Sequence, residues 1–224
     1  MTRGFFITGT DTEVGKTWVS AALLSALKAR GHSTAAMKPA SAGCVETPEG
    51  LRNEDALILQ RHATLALPYE QVNPYAFAPP IAPHLAAARI GQRIDIAPVK
   101  AIFDSIAPHA DYLVVEGAGG WRVPLNERET IADLAKVLDL PVILVVGMRL
   151  GCINHALLSC ESIAGHGVKL AGWVANSILP DFAELEENID TLRQRIDAPL
   201  LGVIPHMTEL DAALAAGHLN LNHL

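Results

Sequence analysis

Residues 5–17 read FFITGTDTEVGKT. The apolar run 5–8 predicts a buried β-strand, Gly9 ends it, and a helical apolar pattern begins after Thr17. A helix N-terminus behind a glycine-bearing loop directs backbone N–H groups and the positive end of the helix dipole at an anion. In such a loop Lys16 reaches the β- and γ-phosphates, and the Thr17 hydroxyl ligates Mg²⁺. The sequence therefore predicts a nucleoside triphosphate site.

The loop departs from the commonest phosphate-binding pattern. Residues 10–14 separate Gly9 from Gly15, one residue more than the usual spacing, so Thr10 takes the first-glycine position. A chance Gly-Lys-Thr in a helix-capping turn is one alternative. A dimerising switch ATPase is another, but such proteins carry a second lysine in this loop, whereas residues 11–13 read DTE here. An acidic loop beside the γ-phosphate favours a cationic or amine-bearing partner, with a solvent-facing Glu13 as the alternative.

Composition limits the class of protein. The chain has 224 residues, half of them hydrophobic, which favours one domain (residues 1–224) with a large core. A net charge of −7 argues against nucleic acid or an anionic membrane surface as a partner. No apolar run reaches membrane-spanning length. Cys44, Cys152 and Cys160 lack metal-ligand spacing and indicate reduced thiols, so we expect a cytoplasmic protein without a signal peptide.

Apolar strand patterns alternate with helical patterns along the chain. The predicted strands lie near 4–9, 34–38, 112–115, 141–147, 171–175 and 200–204. The predicted helices are one ending at Gly31, then 54–62, 84–89, 98–107, one from about 153, and 182–196. Residues 40–53 are expected to form a loop, and the proline-containing stretch 68–84 an irregular crossing over the site. Such alternation predicts an α/β fold, a doubly wound and mostly parallel sheet flanked by helices.

Polar residues follow the predicted strands, at the sheet edge where ligands of such folds gather. Glu116 follows the strand 112–115, where an acid that holds Mg²⁺ belongs, although a loop carboxylate is the alternative. Lys38 closes the second predicted strand and is expected to act as a second cation on the γ-phosphate rather than as a surface lysine. Asp55 lies at a predicted helix start, where an aspartate taken alone is more often an N-cap residue than a metal ligand. Asn176 and His206 follow later strands.

Several strings together resemble the dethiobiotin synthetase family. They are GTDTEVGKT at 9–17, KP at 38–39, TPEGLRNED at 47–55, VEGAGGW at 115–121, GCINH at 151–155 and AGWVAN at 171–176. The resemblance runs nearly end to end and implies a P-loop NTPase fold. It also implies that MgATP drives ring closure of 7,8-diaminopelargonate with CO₂, through a carbamate and a carbamic-phosphoric anhydride, to dethiobiotin, ADP and phosphate.

The resemblance also implies the site residues. Lys16 and Lys38 would be catalytic, and Thr17, Asp55 and Glu116 would hold Mg²⁺. The nucleotide would contact Glu13, Val14, Gly15, Lys16, Thr17, Trp18, Asp55, Glu116, Gly117, Ala118, Gly119, Asn176, Ser177, Pro205, His206 and Met207. The substrate would contact Thr12, Lys38, Ser41 and Ala42. In a homodimer its carboxylate would lie at the helix opened by Gly151, Cys152, Ile153 and Asn154 of the neighbouring subunit, unless Asn154 and His155 only cap that helix.

Three positions depart from the family pattern. Ala42 precedes Gly43 where a hydroxyl residue is usual, and Ser41 stands one residue earlier. Asn188 replaces a tyrosine that reaches the substrate in some members. Ala212 replaces the acid expected near the ribose, with Glu209 and Asp211 close in sequence. These departures concern substrate and nucleotide contacts more than the reaction itself.

Overall fold

The central feature of the fold is a six-stranded sheet in which all neighbouring strands run parallel. The computed structural model describes residues 3–224, so residues 1 and 2 of the predicted domain lie outside the described residues. The strand order is β10-β9-β8-β1-β7-β2. Its strands are β1 (Arg3–Gly9), β2 (Thr34–Met37), β7 (Tyr112–Gly120), β8 (Val142–Gly147), β9 (Leu170–Asn176) and β10 (Leu200–Ile204). The predicted α/β fold with a doubly wound parallel sheet is confirmed.

Four short strands lie outside this sheet. They are β3 (Ala40–Ser41), β4 (Val45–Thr47), β5 (Gly50–Arg52) and β6 (Tyr75–Ala76). β3 pairs with β6 in parallel, and β4 with β5 as an antiparallel hairpin. The helices are α1 (Lys16–Ala29), α2 (Glu54–His62), α3 (Tyr69–Val72), α4 (Pro83–Arg89), α5 (Ile96–Ile106), α6 (Ile131–Leu138), α7 (Cys152–Gly165), α8 (Leu185–Arg195) and α9 (Ala212–Gly217).

Alternating side chains of β1 explain why helices cover both faces of the sheet. Phe6 packs with residues of α4, α5 and α6 on one face. Its neighbours Phe5 and Ile7 pack with residues of α1, α2 and α9 on the other face. Successive side chains of a strand point to opposite faces, so a strand buried on both sides is apolar throughout. The chain leaves β1 for β2 on one side and later returns to β8 on the other, which creates a crevice at the carboxyl ends of the central strands.

The structure corrects several local predictions. The predicted loop 40–53 contains the β4–β5 hairpin, and the predicted crossing 68–84 contains α3 and β6. The strand predicted at 112–115 continues to Gly120, so Glu116 lies within β7 instead of after it. The sequence reading passed over α6 and α9, although Ile131, Leu134 and Leu138 have helical spacing. The hairpin strands are largely exposed, so no apolar pattern indicates them.

Candidate active site

The loop between β1 and α1 is held in shape by contacts from two sides. Gly15 has φ +88°, a left-handed conformation that glycine adopts without strain. The amide Nδ2 of Asn176, at the end of β9, donates to the carbonyl oxygen of Val14 at 2.9 Å. Lys16 Nζ donates to the carbonyl oxygen of Asp11 at 2.9 Å. Asn176 therefore holds the loop from β9, two strands away from β1, and Lys16 closes it from within.

Lys38 joins two carboxylates beside this loop. Its Nζ lies 2.5 Å from Glu116 Oε1 and 3.0 Å from Asp55 Oδ2. Lys38 and Glu116 are buried, whereas the Asp55 side chain is 43% exposed. Thr17 Oγ1 donates to Glu116 Oε1 at 2.9 Å. Residues far apart in sequence thus bring two lysines, two carboxylates and a hydroxyl to one place.

Burial and charge shift the pKa values of this cluster. Burial and, to a smaller extent, the nearby ammonium of Lys38 together lower the pKa of Lys16 to about 8. Burial alone would also lower the pKa of Lys38, but the carboxylates of Glu116 and Asp55 outweigh it and hold the pKa above the usual lysine range. Burial would raise the pKa of Asp55, yet the Lys38 ammonium keeps it below its usual range. Lys38 therefore stays charged at neutral pH.

The oxygen atoms of Thr17, Asp55 and Glu116 fit a Mg²⁺ site. Mg²⁺ prefers oxygen ligands and is commonly bound by one or two carboxylates together with substrate phosphates. Within residues 3–224, no group of three or more His, Cys, Asp or Glu side chains could hold a metal on its own. A hydroxyl and two carboxylates next to a phosphate-binding loop match an ion that is bound jointly by protein and nucleotide.

A cavity of about 830 Å³ lies over the loop and the lysine–carboxylate cluster. Most of the predicted site residues line it: Thr12, Glu13, Gly15, Lys16, Thr17, Trp18, Lys38, Ser41, Ala42, Asp55, Glu116, Ala118, Gly119, Asn176, Ser177, Pro205, His206 and Met207. The lining also includes Asn53, Val123, Ile178 and residues 80–83, the last from the predicted crossing. Val14, Gly117 and residues 151–154 do not line it. The structure thus gathers most of the predicted residues around one space.

Comparison with known proteins decides the family. A family model described as an AAA domain matches residues 3–213. The ATP-dependent dethiobiotin synthetase BioD of Pseudomonas aeruginosa PAO1 is 57% identical over 221 residues, 98% of this chain and 97% of the relative. The chain belongs to the dethiobiotin synthetase family. The enzyme of the same name from Cellvibrio japonicus is 54% identical over 99% of this chain and 97% of its own length. This membership makes the chain an ATP-dependent ligase.

Solved structures show the same fold at low sequence identity. The septum site-determining protein MinD of Pyrococcus horikoshii, complexed with Mg-ADP, has a TM-score of 0.58 and 18% identity, covering 98% of this chain and 87% of that one. The signal recognition particle receptor FtsY of Elizabethkingia anophelis has a TM-score of 0.53 and 11% identity, covering 95% and 59%. At such identities the likeness concerns the fold alone. No helix among residues 3–224 is long and apolar enough to cross a membrane.

The positions that depart from the dethiobiotin synthetase pattern have defined surroundings. Ser41 lines the cavity, but its hydroxyl donates to Asn73 Oδ1 at 2.7 Å. Asn188 Nδ2 donates to the carbonyl oxygen of Glu184 at 2.7 Å. Asp211 caps α9, accepting hydrogen bonds from the backbone N–H groups of residues 213 and 214. The Ser41 hydroxyl is therefore already hydrogen-bonded to the buried side chain of Asn73.

Two contacts at this site were not predicted from the sequence. Ser20 Oγ lies 2.8 Å from Glu116 Oε2, so a second hydroxyl contacts that carboxylate. Ser20 follows Thr17 by three residues on α1, a spacing that places both on one helix face and could have indicated it. Arg149 Nη2 lies 2.6 Å from Asp11 Oδ2 and ties the phosphate loop to the segment after β8. No local pattern indicates that pair.

Proposed function

We propose that the chain closes the cyclic urea of dethiobiotin on 7,8-diaminopelargonate, using CO₂ and MgATP. One amine of the diamine adds to CO₂ and loses a proton, giving a carbamate. A carbamate oxygen then attacks the γ-phosphorus of ATP, and ADP leaves. The second amine attacks the carbonyl carbon of the mixed anhydride, and inorganic phosphate leaves as the ring closes. The family to which the chain belongs and the residues that line its cavity support this reaction.

The observation that carries the proposal is the position of Lys38, buried between two carboxylates in the cavity that also contains the phosphate loop. Carbamate and γ-phosphate are both anions, and their approach is opposed by charge repulsion. Fixed cations in a water-poor site stabilise such a transition state strongly, because they need no reorganisation. Lys38 has its charge in place for this task, and Lys16 supplies a second cation from the loop.

Thr17, Asp55 and Glu116 would hold the Mg²⁺. When bound, the ion neutralises charge on the phosphate oxygens of the nucleotide. The protein groups around it have separate tasks: Lys16 contacts the phosphates, and Lys38 orients the carbamate oxygen toward them. Holding two reactants in line contributes up to about 7–11 kcal/mol to catalysis.

The adenine of the nucleotide would contact Asn176, Ser177 and residues 205–207. These residues line the cavity and end or directly follow β9 and β10. The Ser177 hydroxyl is buried and has no hydrogen-bond partner within the described part of the chain. A buried polar group normally has a partner, so this hydroxyl fits a contact with bound nucleotide.

The substrate carboxylate would bind a second copy of the chain, in a homodimer, at Gly151–Asn154. These residues begin α7 outside the cavity, and Asn154 is exposed. Leu150, directly before them, is 92% exposed, which suits a surface that another subunit covers. A cytoplasmic location belongs to the same proposal, and the three cysteines, none of them in a disulfide, suit it.

The proposal is tested with two lysine variants and a surface control. Lys38→Ala should reduce diamine-dependent ADP release by about a hundredfold or more, while the protein still binds ATP. Lys16→Ala should impair transfer of the γ-phosphate as well. Lys100→Ala, which removes a lysine that is 35% exposed and paired with Asp104 on α5, should turn over like the unchanged protein. Unchanged turnover in Lys38→Ala would remove that residue from the mechanism.

A further inference from the structure

Asn73 holds the backbone of Lys38 in place. β2 ends at Met37, so the main sheet does not fix Lys38. Instead, the Lys38 N–H donates to the carbonyl oxygen of Val72 at 2.7 Å, and the Lys38 carbonyl oxygen accepts from Asn73 Nδ2 at 2.6 Å. Both backbone groups of this buried lysine therefore depend on the end of α3, an element far from it in sequence.

The Asn73 side chain is fully engaged and 3% exposed. Its Oδ1 accepts from Ser41 Oγ at 2.7 Å and from Tyr69 Oη at 3.0 Å. Its Nδ2 faces the carbonyl oxygens of Lys38 and, at 3.4 Å, Tyr75. Two hydroxyl donors on one side and two carbonyl acceptors on the other fix the orientation of the amide. No other side chain of this size offers two donors and two acceptors in that arrangement.

Tyr69 extends the contact to the helix that carries Asp55. Its hydroxyl accepts from the N–H of Asn53 at 2.7 Å while donating to Asn73. Asn53 caps α2, since its Oδ1 accepts from the N–H of Ala56 at 3.2 Å. Asp55 lies in the first turn of α2, so its position depends on where that cap is held. The hydroxyl of Tyr69 therefore links the Lys38 segment to the Asp55 helix.

We propose that Asn73 and Tyr69 are a positioning pair that fixes Lys38 and Asp55 relative to each other for the ligase reaction. Neither side chain lines the cavity, so both act through residues that do. The 3.0 Å contact between Lys38 Nζ and Asp55 Oδ2 joins two segments that this pair connects from behind. The inference rests on the proposed function, because it concerns residues assigned to that reaction.

The decisive variant is Tyr69→Phe, which removes one hydroxyl and keeps the ring. Asn73→Ala is less suitable, since it would leave several buried polar groups without partners. Tyr69→Phe leaves the Asn53 N–H unsatisfied, and we expect a fall in kcat of about tenfold. The Mg²⁺ concentration for half-maximal turnover should rise, because Asp55, a proposed Mg²⁺ ligand, is held in position less well. ATP affinity in EDTA should stay unchanged, because the pair does not contact the phosphate loop.

Tyr75→Phe is the matched control. Its hydroxyl also accepts from a backbone N–H, that of Asp95, at 3.3 Å, but outside the site. Both variants should lose some thermal stability, and only Tyr69→Phe should lose kcat. Equal kcat values in two folded variants would overturn the inference. If the unchanged protein shows no diamine-dependent turnover, the proposed function fails. In that case the positioning role is tested by the Mg²⁺ dependence of ATP binding. An equal Mg²⁺ dependence in Tyr69→Phe and Tyr75→Phe would overturn that role.

Discussion

Replacing Gly15 by alanine tests how the phosphate loop is built. At φ +88° an alanine is strained by about 1–2 kcal/mol. Its Cβ would also lie 2.1 Å from Asn176 Nδ2, which has to move. That movement breaks the hydrogen bond to Val14 and leaves buried polar groups unpaired, at a cost of about 1–3 kcal/mol. We therefore expect Gly15→Ala to lose about 2–5 kcal/mol, shared between unfolding free energy and nucleotide affinity.

Gly31→Ala separates the two causes. Gly31 has φ +84°, nearly the same as Gly15, but nothing lies within 4 Å of its added Cβ. This variant should lose only the strain of about 1–2 kcal/mol in urea unfolding and should bind ATP normally. By calorimetry, Gly15→Ala should bind ATP about thirtyfold more weakly or worse, if about 2 kcal/mol reaches the bound state. ATP affinity equal to that of Gly31→Ala would refute this account of the loop.

Three further predictions concern other parts of the molecule. Ser20→Ala should lower the free energy of unfolding in urea by about 1–3 kcal/mol, because Glu116 loses a buried hydrogen-bond donor. Ser105→Ala, at an exposed hydroxyl of α5, is the control. An equal loss of unfolding free energy in Ser105→Ala would count against the reasoning. Burial raises the pKa of Cys160 to about 11. Alkylation by iodoacetamide, which consumes thiolate, should therefore accelerate up to about pH 11; a plateau at the ordinary thiol pKa would contradict this. Burial alone would raise the pKa of Asp133, but hydrogen bonds at the N-terminal cap of α6 hold that pKa below its usual range. That stabilisation is present at neutral pH and is lost as pH falls through the lowered pKa. Asp133→Ala should therefore cost about 1 kcal/mol in urea unfolding at about pH 7, and the cost should shrink steadily as pH falls below the ordinary aspartate pKa. A cost independent of pH would contradict this reasoning.

The sequence predicts the fold well wherever the signal is local. The strand before Gly9 and the helix after Gly15 agree with the structure within a few residues. Both elements are indicated by regularly spaced apolar residues and by glycines that lie close together in the chain. A local sequence pattern is therefore enough to predict them. The order of the strands was not predicted, because it depends on packing between distant segments.

Residues of the site were predicted from short sequence strings, but the residues that hold them in position were not predicted. Lys38, Asp55 and Glu116 were each singled out, and the structure brings them together around one ammonium. Asn73 was passed over within a stretch expected to be irregular. Its role comes from an amide that contacts a backbone group 35 positions away, and nothing in its neighbours' spacing indicates that.

The central claim is that this chain closes a cyclic urea on a diamine at the expense of ATP. The most direct test measures ADP release with MgATP and bicarbonate, with and without 7,8-diaminopelargonate, and then the mass of the product. We predict ADP release that depends on the diamine, and a product heavier than the diamine by CO₂ less water. ATP binding without diamine-dependent ADP release, or a product of unchanged mass, would contradict the account.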